Sequence, residues 1–222
     1  MATKMLQSLK GRVIRLTRLD VCGVPVTGDC STIVTDGFIT VEFAPEVESG
    51  EEYTQKNAWG DFCIQEKDRD RTKWVNITLS MCEVNPDVME LVGGGTNVLD
   101  ANGTDTIGTT FGVNGSLEAF ALEVWTKQAG NGCDGGTPEW GYFVSPFVTN
   151  GNIDGAVTIE NGTMSLGLKG EGQQAVAEWG VNPYGDNPML ETDGFPVGDF
   201  WGVVRTTVQP PAVTDGCVAL AV

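Results

Sequence analysis

The chain has 222 residues and not one histidine. That removes the commonest general base near neutral pH, the usual metal ligand, and every Ser-His or Cys-His pair. The six cysteines, Cys22, Cys30, Cys63, Cys82, Cys133 and Cys217, include no C-x-x-C pair, so a closely spaced cysteine zinc motif is absent. No run approaches the roughly 20 apolar residues of a membrane helix, and Met5-Leu6 is too short for the apolar core of a secretory signal. The expectation is a chain with no membrane partner, whose cysteines are reduced when made. Later exposure to oxidising surroundings would permit bridges, and Cys22 with Cys30 is the pair closest in sequence. Gly93-Gly94-Gly95 is not followed by Lys-Ser/Thr, which excludes a phosphate-binding loop.

Positive charge is scarce as well, 13 Lys and Arg against 30 Asp and Glu, for a net charge of −17. Residues 1–20 hold five basic side chains and one acid, or +4, so the remaining 202 residues carry 8 against 29, or −21. Such a body repels nucleic acid and anionic lipid. Its basic head suits an acidic neighbour.

What is abundant is glycine, 30 residues, often in turn pairs such as Asp36-Gly37, Asn102-Gly103, Asp154-Gly155 and Asn161-Gly162. Short alternating runs lie between these turns, which argues for an all-β architecture. In the stretch Lys73–Gly95, Val75, Ile77, Leu79 and Met81 alternate with Asn76, Thr78 and Ser80, the pattern of a strand with one buried and one wet face. Asn85-Pro86-Asp87 then predicts a helix start, with Val88, Leu91 and Val92 as its apolar stripe and Gly93-Gly94-Gly95 as its end.

Other strands are expected at Gly11–Leu19, at Phe38–Phe43 with Ile39, Val41 and Phe43 inward, and at Leu117–Trp125 with Phe120, Leu122 and Val124 on one face. Trp140–Val148 reads as a core strand interrupted by Pro146. A hairpin is expected across Asn161-Gly162, and Phe195–Val208 reads as a closing strand region. Residues 44–57 read as an acidic hairpin tip or extended loop, 65–72 as a polar linker, and 93–116 and 129–137 as glycine-rich loops.

Carboxylate pairs such as Glu42 with Glu46, or Glu118 with Glu123, are the arrangement glycoside hydrolysis uses, but surface acids are the simpler account in a chain with thirty. Asp100–Asp105 lacks the helices and terminal Glu of an EF-hand and reads as an Asn-Gly turn. The six tryptophans read as core or subunit packing before a sugar-stacking platform. Catalytic residues, metal and cofactor are all expected to be absent. A self-assembling structural protein fits this composition better than an enzyme.

Several blocks, in order along nearly the whole chain, resemble the major tail (tail tube) proteins of siphophages that infect actinobacteria. They include Arg12-Val-Ile-Arg-Leu-Thr-Arg-Leu-Asp20 with Cys22-Gly-Val-Pro-Val-Thr-Gly28, Val34-Thr-Asp-Gly-Phe-Ile-Thr-Val-Glu-Phe43, and Gly50-Glu-Glu-Tyr53. Val75-Asn-Ile-Thr78, Asn85-Pro-Asp-Val-Met-Glu-Leu91, Ala121-Leu-Glu-Val-Trp125, Gly141-Tyr-Phe143, Thr158-Ile-Glu-Asn161 and Glu178-Trp-Gly-Val-Asn-Pro-Tyr184 follow.

The resemblance implies a mainly β fold, a tail-tube-like β-sandwich or barrel with one short flanking helix and long loops. Residues 1–20 would form a basic arm. The sandwich would span 11–208, with loop insertions near 93–116 and 129–139, and 209–222 would form a C-terminal arm. It further implies rings of this chain, usually hexameric, stacked into a virion tail assembled after synthesis in the bacterial cytoplasm. The partners implied are copies of itself, a tape-measure protein, and tail terminator and distal tail proteins, with DNA passing unbound through the lumen. On this reading Glu42, Asn76, Thr78 and Ser80 lie on tube-wall or lumen faces. Leu6, Leu9, Lys10, Arg12, Arg15 and Arg18 dock on a neighbouring subunit or ring. The competing expectations are a capsid decoration protein, a tail terminator, or a carbohydrate-active β-sandwich enzyme or lectin.

Overall fold

The structure is a computed structural model describing residues 7–83, 85–112, 118–129, 138–155, 165–176, 179, 194–214 and 216–220. These contain twelve strands and one short helix. In chain order they are β1 (Ser8–Leu19), β2 (Thr32–Thr35), β3 (Phe38–Glu48), β4 (Glu52–Lys56), β5 (Phe62–Lys67), β6 (Arg71–Met81), α1 (Pro86–Leu91), β7 (Gly95–Leu99), β8 (Thr106–Phe111), β9 (Ala119–Gln128), β10 (Trp140–Ile153), β11 (Leu166–Gly172) and β12 (Gly202–Thr206). The hairpin expected across Asn161-Gly162 lies mostly outside the described residues.

The main sheet is antiparallel, in the order β2-β1-β9-β10-β11-β6-β3, with β12 also on β10. One edge of β10 serves two partners in succession, β12 along Trp140–Val144 and β11 along Val148–Ile153. Between them Pro146 and Phe147 sit in an irregularity of the pairing with β9. Proline cannot donate to the ladder, so the bend falls where the sequence breaks the pattern. Past that bend the sheet turns over on itself. Ile14 and Leu16 of β1, Phe120, Leu122 and Val124 of β9, Val75–Met81 of β6 and Leu166 and Leu168 of β11 all bury one face in the same core. The two strands at opposite ends of the order, β2 and β3, are joined only by Asp36-Gly37. A Cβ on Gly37 would lie 2.7 Å from the carboxylate of the exposed Glu83, so that side chain would have to move to admit one.

Helix α1 plugs this core with Val88, Met89 and Leu91. Its start is the one expected: Asn85 Oδ1 accepts from the N–H groups of Asp87 (2.9 Å) and Val88 (3.4 Å), and Pro86 takes the first helical position. A second apolar cluster covers the opposite face of β1, β9 and β10. Leu19, Ala121, Trp125, Tyr142 and Val144 pack there under Ala175, Trp179 and Phe195. β9 is thus buried on both faces, the usual position of a central strand.

Three expectations change. Ile39 faces outward, because the β3–β6 pairing is irregular between Phe38 and Thr40, and Phe38 packs on the core in its place. Part of the expected loop 93–116 is the β7–β8 hairpin, whose turn Asp100 closes by accepting from Thr104 N (2.9 Å) and Asp105 N (3.3 Å). The expected linker 65–72 contains the end of β5 and the start of β6.

Candidate functional site

The four wall candidates lie on one side of the main sheet. Register places Glu42 of β3 opposite Thr78 of β6, and Thr78 opposite Lys169 of β11. In the flanking rows Thr40, Ser80 and Gly167 align, and so do Ala44, Asn76 and Glu171. The two intervening rows, Val41-Leu79-Leu168 and Phe43-Ile77, point into the core. Asn76 and Glu42 are exposed, Thr78 and Ser80 half-buried. The result is a low, polar surface three strands wide. Period-two alternation makes it, since every second residue of these strands is apolar and inward. Beyond it, no described strand pairs with the outer edge of β3.

From the same pair of strands projects the β4–β5 hairpin, exposed at every position. Its base is pinned by Asp70, which accepts from Gly50 N (3.0 Å) and pairs with Lys67 (3.0 Å). The Gly50 hydrogen bond, then Lys67, holds the Asp70 carboxyl below its ordinary range. Gly50 is obligatory, because a Cβ would sit 2.1 Å from the Asp68 carbonyl oxygen. At the tip Asn57 Oδ1 accepts from Trp59 N (2.9 Å) and Asp61 N (3.0 Å). That closed turn presents Trp59, 91% exposed, with Tyr53, Phe62 and Ile64 behind it. A two-stranded hairpin without a covered face is marginal at best in water.

The basic strand is used differently from expectation. Leu6 lies outside the described residues, and Leu9 falls at an irregularity of the β1–β9 pairing. Lys10 and Arg12 are exposed, Arg12 at a second irregularity between Gly11 and Val13. Arg15 is buried, and this corrects its assignment to docking. Its Nε and Nη2 donate to the two carboxylate oxygens of Glu123 at 2.6 and 2.8 Å. Arg18 is tied to Glu118 and to Glu90 of α1, which removes it from the docking set too. Residues 8–19 are therefore an interior strand, not an arm, and two of their cations are spent inside the chain.

The Arg15–Glu123 pair is the polar centre of the second cluster. Tyr142 Oη donates to Glu123 Oε1 at 2.6 Å, Trp179 Nε1 lies 3.5 Å from Tyr142 Oη, and the Arg15 guanidinium stacks 5.1 Å over Trp125. Burial, then the Glu123 charge, pushes the Tyr142 phenol well above its ordinary value. A folded-state pKa above the unfolded one means that the folded chain holds the proton longer. This contribution to stability is full below pH 10 and is lost as pH rises above it. We expect the unfolding free energy to fall above pH 10 by up to about 1.4 kcal/mol per pH unit more in the wild type than in Tyr142→Phe. Urea unfolding of both proteins between pH 9 and 11 measures the difference, and parallel curves would refute it.

Glu118 and Glu123, read from the sequence as surface acids before a catalytic pair, do not converge, and Glu123 is buried rather than at the surface. An odd spacing puts them on opposite faces, one on Arg18 and the other on Arg15.

The described residues of the C-terminal segment lie on their own chain. They follow the edge of β2 away from β1: Thr214 N donates to Val34 O (2.9 Å), and Thr32 and Val218 exchange backbone hydrogen bonds (2.8 and 2.9 Å). Cys217 is bonded to Cys30, 187 residues away, whereas Cys22 is exposed and unbridged. The sequence-nearest pairing is thereby corrected. Spacing carries no signal for a bridge between the first loop and the last residues.

No family model matches the chain, and no curated protein matches it in sequence. No helix among the described residues is long and apolar enough to cross a membrane.

Proposed function

We propose that the chain is a self-assembling structural subunit of a virion tail, stacking as rings, hexameric by resemblance, into a tube that delivers DNA. The β4–β5 hairpin carries the reading. It places Tyr53, Trp59, Phe62 and Ile64 in water on an element that its own chain leaves uncovered. A second copy covering it would convert this exposed apolar area into interface. The outer edge of β3 offers backbone groups for pairing in the same way, while the arm already blocks the edge of β2. The open edge of β3 and the projecting hairpin are different surfaces, so a contact between them is head-to-tail, which closes into a ring or runs on as a stack.

In such a tube the face with Asn76, Thr78, Ser80 and Glu42 suits a wall. Asn76, Thr78 and Ser80 are short and uncharged, Glu42 adds a negative charge, and the acidic chain repels a duplex carrying one charge per roughly 1.7 Å. Tape-measure, terminator and distal tail proteins would be its partners, and no catalysis is required of it.

The test is electron microscopy and sedimentation of the purified chain beside a variant in which a short turn replaces residues 51–68. We expect rings or tubes from the wild type, and a folded monomer with unchanged near-UV circular dichroism from the variant. A wild type monomeric at every concentration, or a variant that polymerises equally well, overturns the proposal.

A further inference from the structure

Sequence spacing shows no metal motif, yet among the described residues the fold collects a sulfur-bearing set of side chains from three distant segments. Cys30 lies in the loop before β2, Asp87 in the first turn of α1, and Cys217 in the C-terminal arm. Their two Sγ atoms and a carboxylate oxygen all lie within 4.8 Å of one another, and all three residues are half-buried. The carboxylate is already aimed. Asp87 Oδ1 accepts from Asn97 Nδ2 (2.9 Å) and Oδ2 accepts from Cys217 N (2.8 Å), which fixes its plane against the arm. Such outer partners orient a ligand before an ion arrives.

We infer that reduction of the Cys30–Cys217 bond turns this cluster into a site for a thiophilic divalent cation such as Zn2+, which then fastens the arm in place of the disulfide. The chemistry balances with a thiol or phosphine reductant. Two electrons and two protons convert the disulfide to two thiols, and the reductant is oxidised. Metal binding releases the two thiol protons to solvent and forms two metal–sulfur bonds and one metal–carboxylate bond, leaving a fourth position for water. Two thiolates and a carboxylate are zinc donors, and their softness selects against Mg2+ and Ca2+.

The cation also supplies what the reduced cluster lacks. Two thiolates beside a carboxylate would repel one another, and a dication removes that repulsion as the thiol protons leave. With neither bond nor ion, the arm is held by its hydrogen bonds to β2 and Ser31 and by the buried Leu220, and only its release would open the edge of β2 to pairing. The inference stands apart from the tail reading, since it rests on the arm and the cluster alone.

The experiment uses the full chain with Cys22, Cys63, Cys82 and Cys133 replaced by serine, reduced with a phosphine and titrated with Co2+ under argon. We expect sulfur-to-cobalt charge-transfer absorption saturating at one equivalent, bleached by Zn2+, abolished by Cys217→Ser and shifted to at least about tenfold weaker binding by Asp87→Asn. Thiol counting on Asp87→Asn in oxidising buffer checks that its disulfide still forms, and therefore that the arm still docks. Absence of the absorption, its persistence in Cys217→Ser, or equal cobalt affinity in a correctly oxidising Asp87→Asn overturns the inference. Should Asp87→Asn fail to fold, the Cys217→Ser titration and the one-equivalent endpoint decide it.

Discussion

Replacing Glu123 by Gln should lower the unfolding free energy by about 3–5 kcal/mol, the cost of stripping one partner from a buried ion pair. The carboxylate is wholly buried, accepts both hydrogen bonds from Arg15 and also accepts the phenol of Tyr142. A neutral amide leaves the guanidinium charged in a cluster of Trp125, Tyr142, Trp179 and Phe195, where water cannot compensate it. Arg15→Met alone should cost a similar amount, because it strands the carboxylate instead. Combining Arg15→Met with Glu123→Leu and Tyr142→Phe should recover most of the loss, since buried pairs replaced by apolar groups are often neutral. Guanidinium unfolding of the singles and the triple separates the two accounts. Losses that simply add would mean that the network is not a unit.

Opening the Cys30–Cys217 bond has an effect of comparable size for an unrelated reason. The bond closes a loop of 187 residues, and on the chain-entropy account such a closure contributes about 5 kcal/mol by restricting the unfolded ensemble. Cys217→Ser, compared with the oxidised wild type in the presence of a chelator, should lose that amount and expose residues 207–220 to proteolysis. Cys22→Ser should change neither property, because that thiol is exposed and unbridged. Equal midpoints for wild type and Cys217→Ser would show that the bridge contributes nothing to the fold.

Local chemistry was readable in advance. Alternation from Val75 to Met81 named the inner and outer faces of β6, and Asn85-Pro86 named the start of α1, because both signals span only a few residues. The interruption at Pro146 was readable for the same reason. The hairpin β4–β5 was obscured because exposure on all sides leaves no period to detect, only charge and turn residues.

Long-range partners were hidden more deeply. Arg15 and Glu123 are 108 positions apart, so the cation looked available for a neighbour while the fold spends it internally. The bridge between Cys30 and Cys217 is the same case: the pairing depends on where the last strand leaves the arm, and no local pattern records it. Of the ten residues proposed for contact or wall roles, the four on β3 and β6 do share one surface because they alternate with core residues. Of the six near the start of the chain, Arg15 and Arg18 are held by carboxylates of their own chain, Lys10 and Arg12 are exposed, and Leu6 lies outside the described residues.

The bond between Cys30 and Cys217 also decides how the molecule responds to being pulled. Tension applied at the two chain ends passes through the first 29 residues, across one covalent link, and out through the last five. While that link is intact everything between positions 30 and 217 is bypassed by the load, which falls instead on β1: that strand lies outside the closed loop and must shear from β2 and β9 to yield.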